Sequence, residues 1–324
     1  MKTVLVAAIV VLFLQGCENV TAIPPPPDAS APPGWTVLAA GTANLNAVNG
    51  LSDTAVWAVG DRGTILHWDG TSLTPEVSGT TANLRGVWAV DADDVYAVGD
   101  SGTILERSGG TWTPVGVGTT PQVLTGVWAD STRVVAVGSF GTIVLGTLAT
   151  GKYQVIANGD QENLLGVTGT PGGPAVAVGA LGLVLSLSPG QPPKRTTIPA
   201  FSKLLTGVAT APGVSYLVGE QGAVYRSDAA GINPVSGFPT STLKAVSITG
   251  STAWAVGVDG VICEAAATST TCFPYSDLRW FNGVYAASPT AIWVVGATGT
   301  LLHGLPTQSA SVGGASDAGQ GGGG

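Results

Sequence analysis

Four acidic residues of this 324-residue chain recur in one kind of place: Asp61, Asp100, Glu220 and Asp259 each fall within two residues of a Val-Gly pair. Two carboxylates held across one substrate can serve as general acid and base on a glycosidic bond. A short acidic side chain beside Gly is also the ordinary holder of a solvated turn, and that is the reading favoured for these four. Arginine does not complete a sugar site. Arg62, Arg85, Arg107, Arg133, Arg195, Arg226 and Arg279 stand at unequal positions, whereas a grip on an acidic sugar needs three gathered together. The two histidines, His67 and His303, share a slot that Glu106, Ser186, Arg226 and Glu264 fill elsewhere. That makes it a tolerant polar position, and a metal centre needs three or more converging ligands. No nucleophile triad, phosphate loop or dinucleotide fingerprint is present. These residues predict no catalytic group, no metal and no cofactor.

The elements that would carry such residues are short strands. Leu84 to Val117 reads as four apolar runs separated by turn clusters, Asp91 to Asp94, Gly99 to Gly102 and Ser108 to Gly110. The unit repeats. Leu/Phe-x-Gly/Ala-Val begins at Leu45, Leu84, Leu124, Leu164, Leu205, Leu243 and Phe281, at intervals of 38 to 41 residues. Each start leads to Val-Gly-x-x-Gly, from Gly60 and Gly63 to Gly296 and Gly299, read as a two-residue turn between the second and third strands. A period near forty with four strands per unit predicts an all-β, seven-bladed β-propeller with four antiparallel strands per blade. Trp57, Tyr96, Val135, Val176, Tyr216, Trp254 and Trp293 recur three residues before the first Gly, so they are expected to pack blade on blade. The seventh unit supplies only three strands, and an orphan strand at Trp35 to Leu38 is expected to complete it and close the ring.

Asp94 to Leu105, DVYAVGDSGTIL, resembles the secreted bacterial propellers built of D-V-W-A-V-G-x-x-G-T-I-L-H units, and Trp57 to Trp68 does so nearly as well. Those proteins are related to the BNR/sortilin type and to photosystem II assembly-factor-like propellers. The resemblance covers residues 35–305 and implies fold rather than function. The strict Asp box is missing, with Arg107 in its acidic place, and Trp-Asp occurs once, at Trp68-Asp69.

The ends give an address. Residues 1–16 have a basic Lys2 and an apolar run too short to span a bilayer, which fits a signal peptide. Leu14-Gln15-Gly16-Cys17 resembles the lipobox of bacterial lipoproteins, which implies lipidation of Cys17. By the same resemblance, Glu18 implies the outer membrane, facing the periplasm or the surface. Residues 17–34, rich in proline, form a semi-rigid tether; residues 35–305 form the propeller; residues 306–324 are a low-complexity Gly/Ser-rich tail expected to be disordered. Cys263 and Cys272 fall on the third and fourth strands of unit six, equidistant from the hairpin between them, and are expected to form a disulfide in an oxidising compartment.

A net charge of −8 without a Lys/Arg cluster excludes a nucleic-acid partner. Topology puts the Val-Gly turns and the inter-blade segments at one end of the ring. That end collects Asp61, Arg62, Arg85, Asp100, Phe140, Glu220, Gln221, Lys244, Asp259, Arg279 and Trp280 as a binding face. The expected function is non-enzymatic: a monomeric, lipid-anchored scaffold or recognition module for an envelope protein or glycan, touching the membrane by its lipid alone. The alternatives are a carbohydrate-acting hydrolase or lyase and an assembly factor for an envelope complex. Two carboxylates and an arginine in one central pocket would favour catalysis.

Overall fold

The computed structural model describes residues 34–304 apart from 40, 42, 160, 199, 200, 202, 267, 268, 274, 276 and 277. The signal segment, Cys17, the tether and the tail from 306 lie outside the described residues. Each of the first six repeats forms one four-stranded antiparallel sheet, the seventh shares its sheet with an N-terminal strand, and the seven sheets stand around an axis as blades. Blade 1, from the axis outward, is Leu45–Ser52, Ala55–Gly60, Ile65–Trp68 and Leu73–Pro75. The other blades follow in chain order.

Second strands are sandwiched between neighbouring blades, so both their faces need apolar cover. Val95–Gly99 and Ala291–Gly296 are accordingly buried at every position. Outer strands meet a neighbour on one side only; in Thr111–Pro114, Trp112 alone is buried. The buried apolar residues form seven clusters, each shared by two consecutive blades. Trp57 packs on Leu84 and Val87 of blade 2, and Trp293 on Leu45 and Val48 of blade 1. The recurrent bulky residues therefore join blade to blade, as their spacing predicts.

Near the axis the inner strands touch backbone to backbone. A Cβ on Gly86 would lie 3.2 Å from the Cα of Gly126, and one on Gly166 would lie 3.3 Å from that of Gly207. This explains Gly or Ala at the third position of every repeat.

Blade 7 takes three strands, Phe281–Ser288, Ala291–Gly296 and Leu301–Gly304, from the end of the chain, and the fourth, Trp35–Ala39, from its beginning. Trp35 lies opposite Gly304 and Thr36 opposite His303. Trp35 and Val37 are buried in the cluster between blades 6 and 7. The ring is closed as expected. Because Leu301 leads away from the Val-Gly turn of blade 7, both Gly34 and Gly304 sit at the end of the ring opposite those turns.

Candidate functional site

The site is built from the turns upward. Each Val-Gly turn is one residue longer than the two-residue form expected: Gly60 N–H bonds Thr64 O at 2.9 Å across the loop Asp61–Gly63. Extended backbone at Gly60 needs no glycine for its φ of −161°, but a Cβ there would lie 2.1 Å from Asn44 O. Two left-handed residues follow: the closing glycine, Gly63 to Gly299, with φ between 66° and 71°, and before it the middle residue, which is never glycine. Arg62, Ser101, Phe140, Leu181, Gln221, Asp259 and Thr298 all have φ between 53° and 59°. That backbone costs an L-residue about 1 kcal/mol or more, and the cost recurs in all seven blades.

Asparagine holds several of these turns. The N–H groups of Arg62, Phe140 and Thr298 donate to the Oδ1 atoms of Asn83, Asn163 and Asn44, each on the leading segment of the next blade. Nδ2 of Asn44 and of Asn83 then donates to Asp61 and Asp100 of its own blade, both at 2.9 Å. The seven middle side chains stand at the rim. The signal in the sequence is Asn-Leu at three repeat starts, 44–45, 83–84 and 163–164.

The four carboxylates are not free turn residues. Asp61 accepts from Asn44 and Asn46, Asp100 from Asn83 and Arg85, Glu220 from the Leu204 N–H, and Asp259 from the Ser241 hydroxyl. The Arg85 guanidinium, aided by Asn83, holds the Asp100 carboxyl below its usual range against the opposing effect of burial. Each carboxylate is tied within its own blade, because the partner side chains come from that blade's inner strand or the segment leading to it. They do not converge.

Of the face residues named from the sequence, the structure brings Arg85 and Asp100 into contact and spreads the others around the ring. Asp61 and Arg62 belong to blade 1, Phe140 to blade 3, Glu220 and Gln221 to blade 5, and Lys244 and Asp259 to blade 6. Arg279 stacks 4.8 Å above the Tyr275 ring and donates to the Thr300 hydroxyl, between blades 6 and 7. Phe140 and Trp280 are 63% and 56% exposed and pack under no loop. They do not stand alone. Among the described residues the exposed large apolar side chains are Leu51, Val77, Val117, Phe140, Val155, Leu181, Leu204, Leu278 and Trp280. All but Leu51 sit in Val-Gly turns, in inter-blade segments or at the last residue of an outer strand, Lys152–Val155, that runs into one.

The axial channel opens among these turns. Its cavity of about 320 Å³ is lined by the seven inner strands, and its charged lining residues are Arg85 and Lys244, with no carboxylate. Side chains cap the unpaired inner edges. Asn282 donates to Leu45 O, Asn46 to Leu84 O, Thr125 to Leu164 O and Thr206 to Leu243 O, each bond crossing to the following blade. Asn49 and Ser247 accept from the N–H groups of Ala89 and Ala286 in the same way. The pairing of two carboxylates with an arginine that catalysis would need is not found in this pocket.

His67 and His303 lie opposite Trp57 and Trp293 on neighbouring strands and stack on them, with ring centres 4.4 and 4.2 Å apart. Among the described residues no group of three or more His, Cys, Asp or Glu could hold a metal ion. Cys263 faces Cys272 across the ladder, with Cα atoms 4.0 Å apart and sulfur atoms at bonding distance.

No family model and no curated protein matches the chain. Solved structures do. YCF48 bound to D1 peptide is 17% identical at a TM-score of 0.67, over 86% of this chain and 98% of its own. YCF48 from Cyanidioschyzon merolae is 16% identical at 0.68, over 84% and 99%. The WD40 propeller domain of Doa1 is 13% identical at 0.68, over 86% and 99%. The shared property is the fold. This chain is a seven-bladed propeller with a fold similar to that of YCF48 and of a WD40 propeller.

Proposed function

We propose that this chain is an exported, lipid-anchored propeller of a bacterial envelope that binds a protein partner across the rim of Val-Gly turns and inter-blade segments. One observation carries the reading: among the described residues, eight of the nine exposed large apolar side chains lie at that end. Exposed apolar groups gathered on one face mark interaction surfaces, and aromatic and arginine side chains carry most binding energy there. Phe140, Leu181 and Trp280 supply apolar anchors, with Arg62, Gln221 and Arg279 beside them as polar contacts. That YCF48 has been solved with a D1 peptide supports a peptide-like segment as the partner's contact. Scattered aliphatic groups suit such a segment better than a sugar, which is gripped by stacked aromatic faces and paired hydrogen bonds. The protein works as a monomer, tethered through Cys17, with Cys263 and Cys272 oxidised to a bridge after export.

The test is affinity capture from detergent-solubilised envelope with the wild type and with Arg62→Ala, Phe140→Ala and Trp280→Ala. The expected result is one partner lost from all three variants while urea unfolding midpoints stay put, because these side chains are exposed. Equal capture by all would sink the reading. The anchor is checked separately: Cys17→Ser is expected to move the protein from the membrane fraction to the soluble one.

A further inference from the structure

The rim leaves the axial channel unused. Its volume of about 320 Å³ falls within the range of small-ligand sites, about 300–1,000 Å³. Of its two charged lining residues, Arg85 is neutralised by Asp100. Lys244 is not. Half-buried in blade 6, its ammonium makes no ion pair or hydrogen bond among the described residues. It occupies the second position of its repeat, the position from which Asn46, Thr125, Thr206 and Asn282 each donate to a carbonyl of the next blade. Those bonds cap the oxygens of Leu84, Leu164, Leu243 and Leu45, which would otherwise turn partial negative charge toward the mouth. Lys244 makes no such bond to Phe281. An unpaired ammonium in a concave mouth, with no carboxylate in the lining and four carbonyls capped, is a centre of positive potential whose desolvated walls concentrate its field.

We propose that the mouth of the channel is a carboxylate-binding subsite, with Lys244 as the counter-charge. Thr206 and Asn282, at the same ring position in blades 5 and 7, flank it, and the second N–H of the Asn282 amide is free to donate once the first has bonded Leu45 O. The carboxylate can come as a free small acid or on an aspartate or glutamate side chain of a protein. The subsite stands whether or not the rim binds a partner, because Phe140 and Trp280 are not among the residues lining the channel.

Isothermal titration of the full mature chain in detergent tests this. The probes are succinate and a blocked peptide with one internal aspartate, set against succinamide and the asparagine peptide. Saturable binding of the acids and not of the amides is expected. Lys244→Met should weaken it about tenfold or more, the usual worth of a charge-assisted hydrogen bond, and Lys244→Arg should retain most of it. Tighter binding of succinate than of the peptide identifies a free acid, and the reverse identifies a protein side chain. Absence of saturable binding, or equal affinity in Lys244→Met, overturns the proposal. So does a purely structural Lys244, which would show as no binding in the wild type and a higher urea midpoint for Lys244→Asn, a residue that caps like its neighbours, than for Lys244→Met.

Discussion

Glu76 shows what single residues do between blades. Its carboxylate, on blade 1, accepts from Trp112 Nε1 at 2.7 Å and from the Arg107 guanidinium, both on blade 2, and lies 3.3 Å from His67 Nδ1. Arg107 also donates to Ala92 O and sits 5.4 Å above the Trp57 ring. Removing one partner of so enclosed a pair leaves the other charged and unpaired, so Glu76→Ala is expected to cost about 3 kcal/mol in urea unfolding. Burial depresses the His67 pKa below its usual 6.5; Glu76 opposes this and Arg107 reinforces it. The unfolded chain therefore takes up that proton before the folded one does. Stability should fall as pH drops below about 6.5, and His67→Gln should flatten that slope in unfolding midpoints measured across the window. The two stacked tryptophans offer a cleaner comparison. Trp293 Nε1 donates to Asp53 Oδ1 at 3.0 Å, whereas the buried Trp57 Nε1 has no partner. Trp293→Phe is expected to cost about 1 kcal/mol more than Trp57→Phe, since only the first loses a hydrogen bond. Periodicity marked both tryptophans as core. Nothing in it could distinguish them, because Asp53 reaches Trp293 across the ring closure from the other end of the chain.

Turns and inner strands were legible to different depths. The glycine spacing announced a hairpin in every repeat, yet not that its middle, strained residue would be a non-glycine, held in three blades by the next blade's asparagine. That hold is long-range, and a reading of one hairpin at a time does not see it. Asp61 and Asp100 are the turn residues they were read as, but the hydrogen bonds from Asn44 and Asn83 that fix them there could not be read from one hairpin alone. The glycines of the inner strands can be tested directly. At Gly126 a side chain would press on the backbone of Gly166 and Val167, within 3.3–3.4 Å of the Cβ alone. Gly126→Val should cost about 2 kcal/mol or more, because the obstacle is backbone and cannot turn aside. Ala47→Gly, at the same ring position, should cost less than about 1 kcal/mol. Both are read from urea unfolding.

At the scale of the whole ring, the prediction of seven blades and a borrowed closing strand came from counting repeats, a signal that no local accident erases. The proposed binding face was less legible. Its apolar members Leu181, Leu204 and Leu278 look like core residues in the sequence, and only the arrangement of blades leaves them outside. Deleting residues up to Ala39 should expose the edge of Leu301–Gly304, and the protein is expected to aggregate or unfold over a broadened transition, as followed by light scattering and circular dichroism. The same seam decides how the molecule answers force. Trp35 and Gly304 are partners at one end of an antiparallel ladder. A pull that separates the two ends therefore loads that ladder one rung at a time, as a zipper, and not all its rungs together in shear. The joint that makes the ring stable in solution is thus the place where tension between the two chain ends would begin to peel it open.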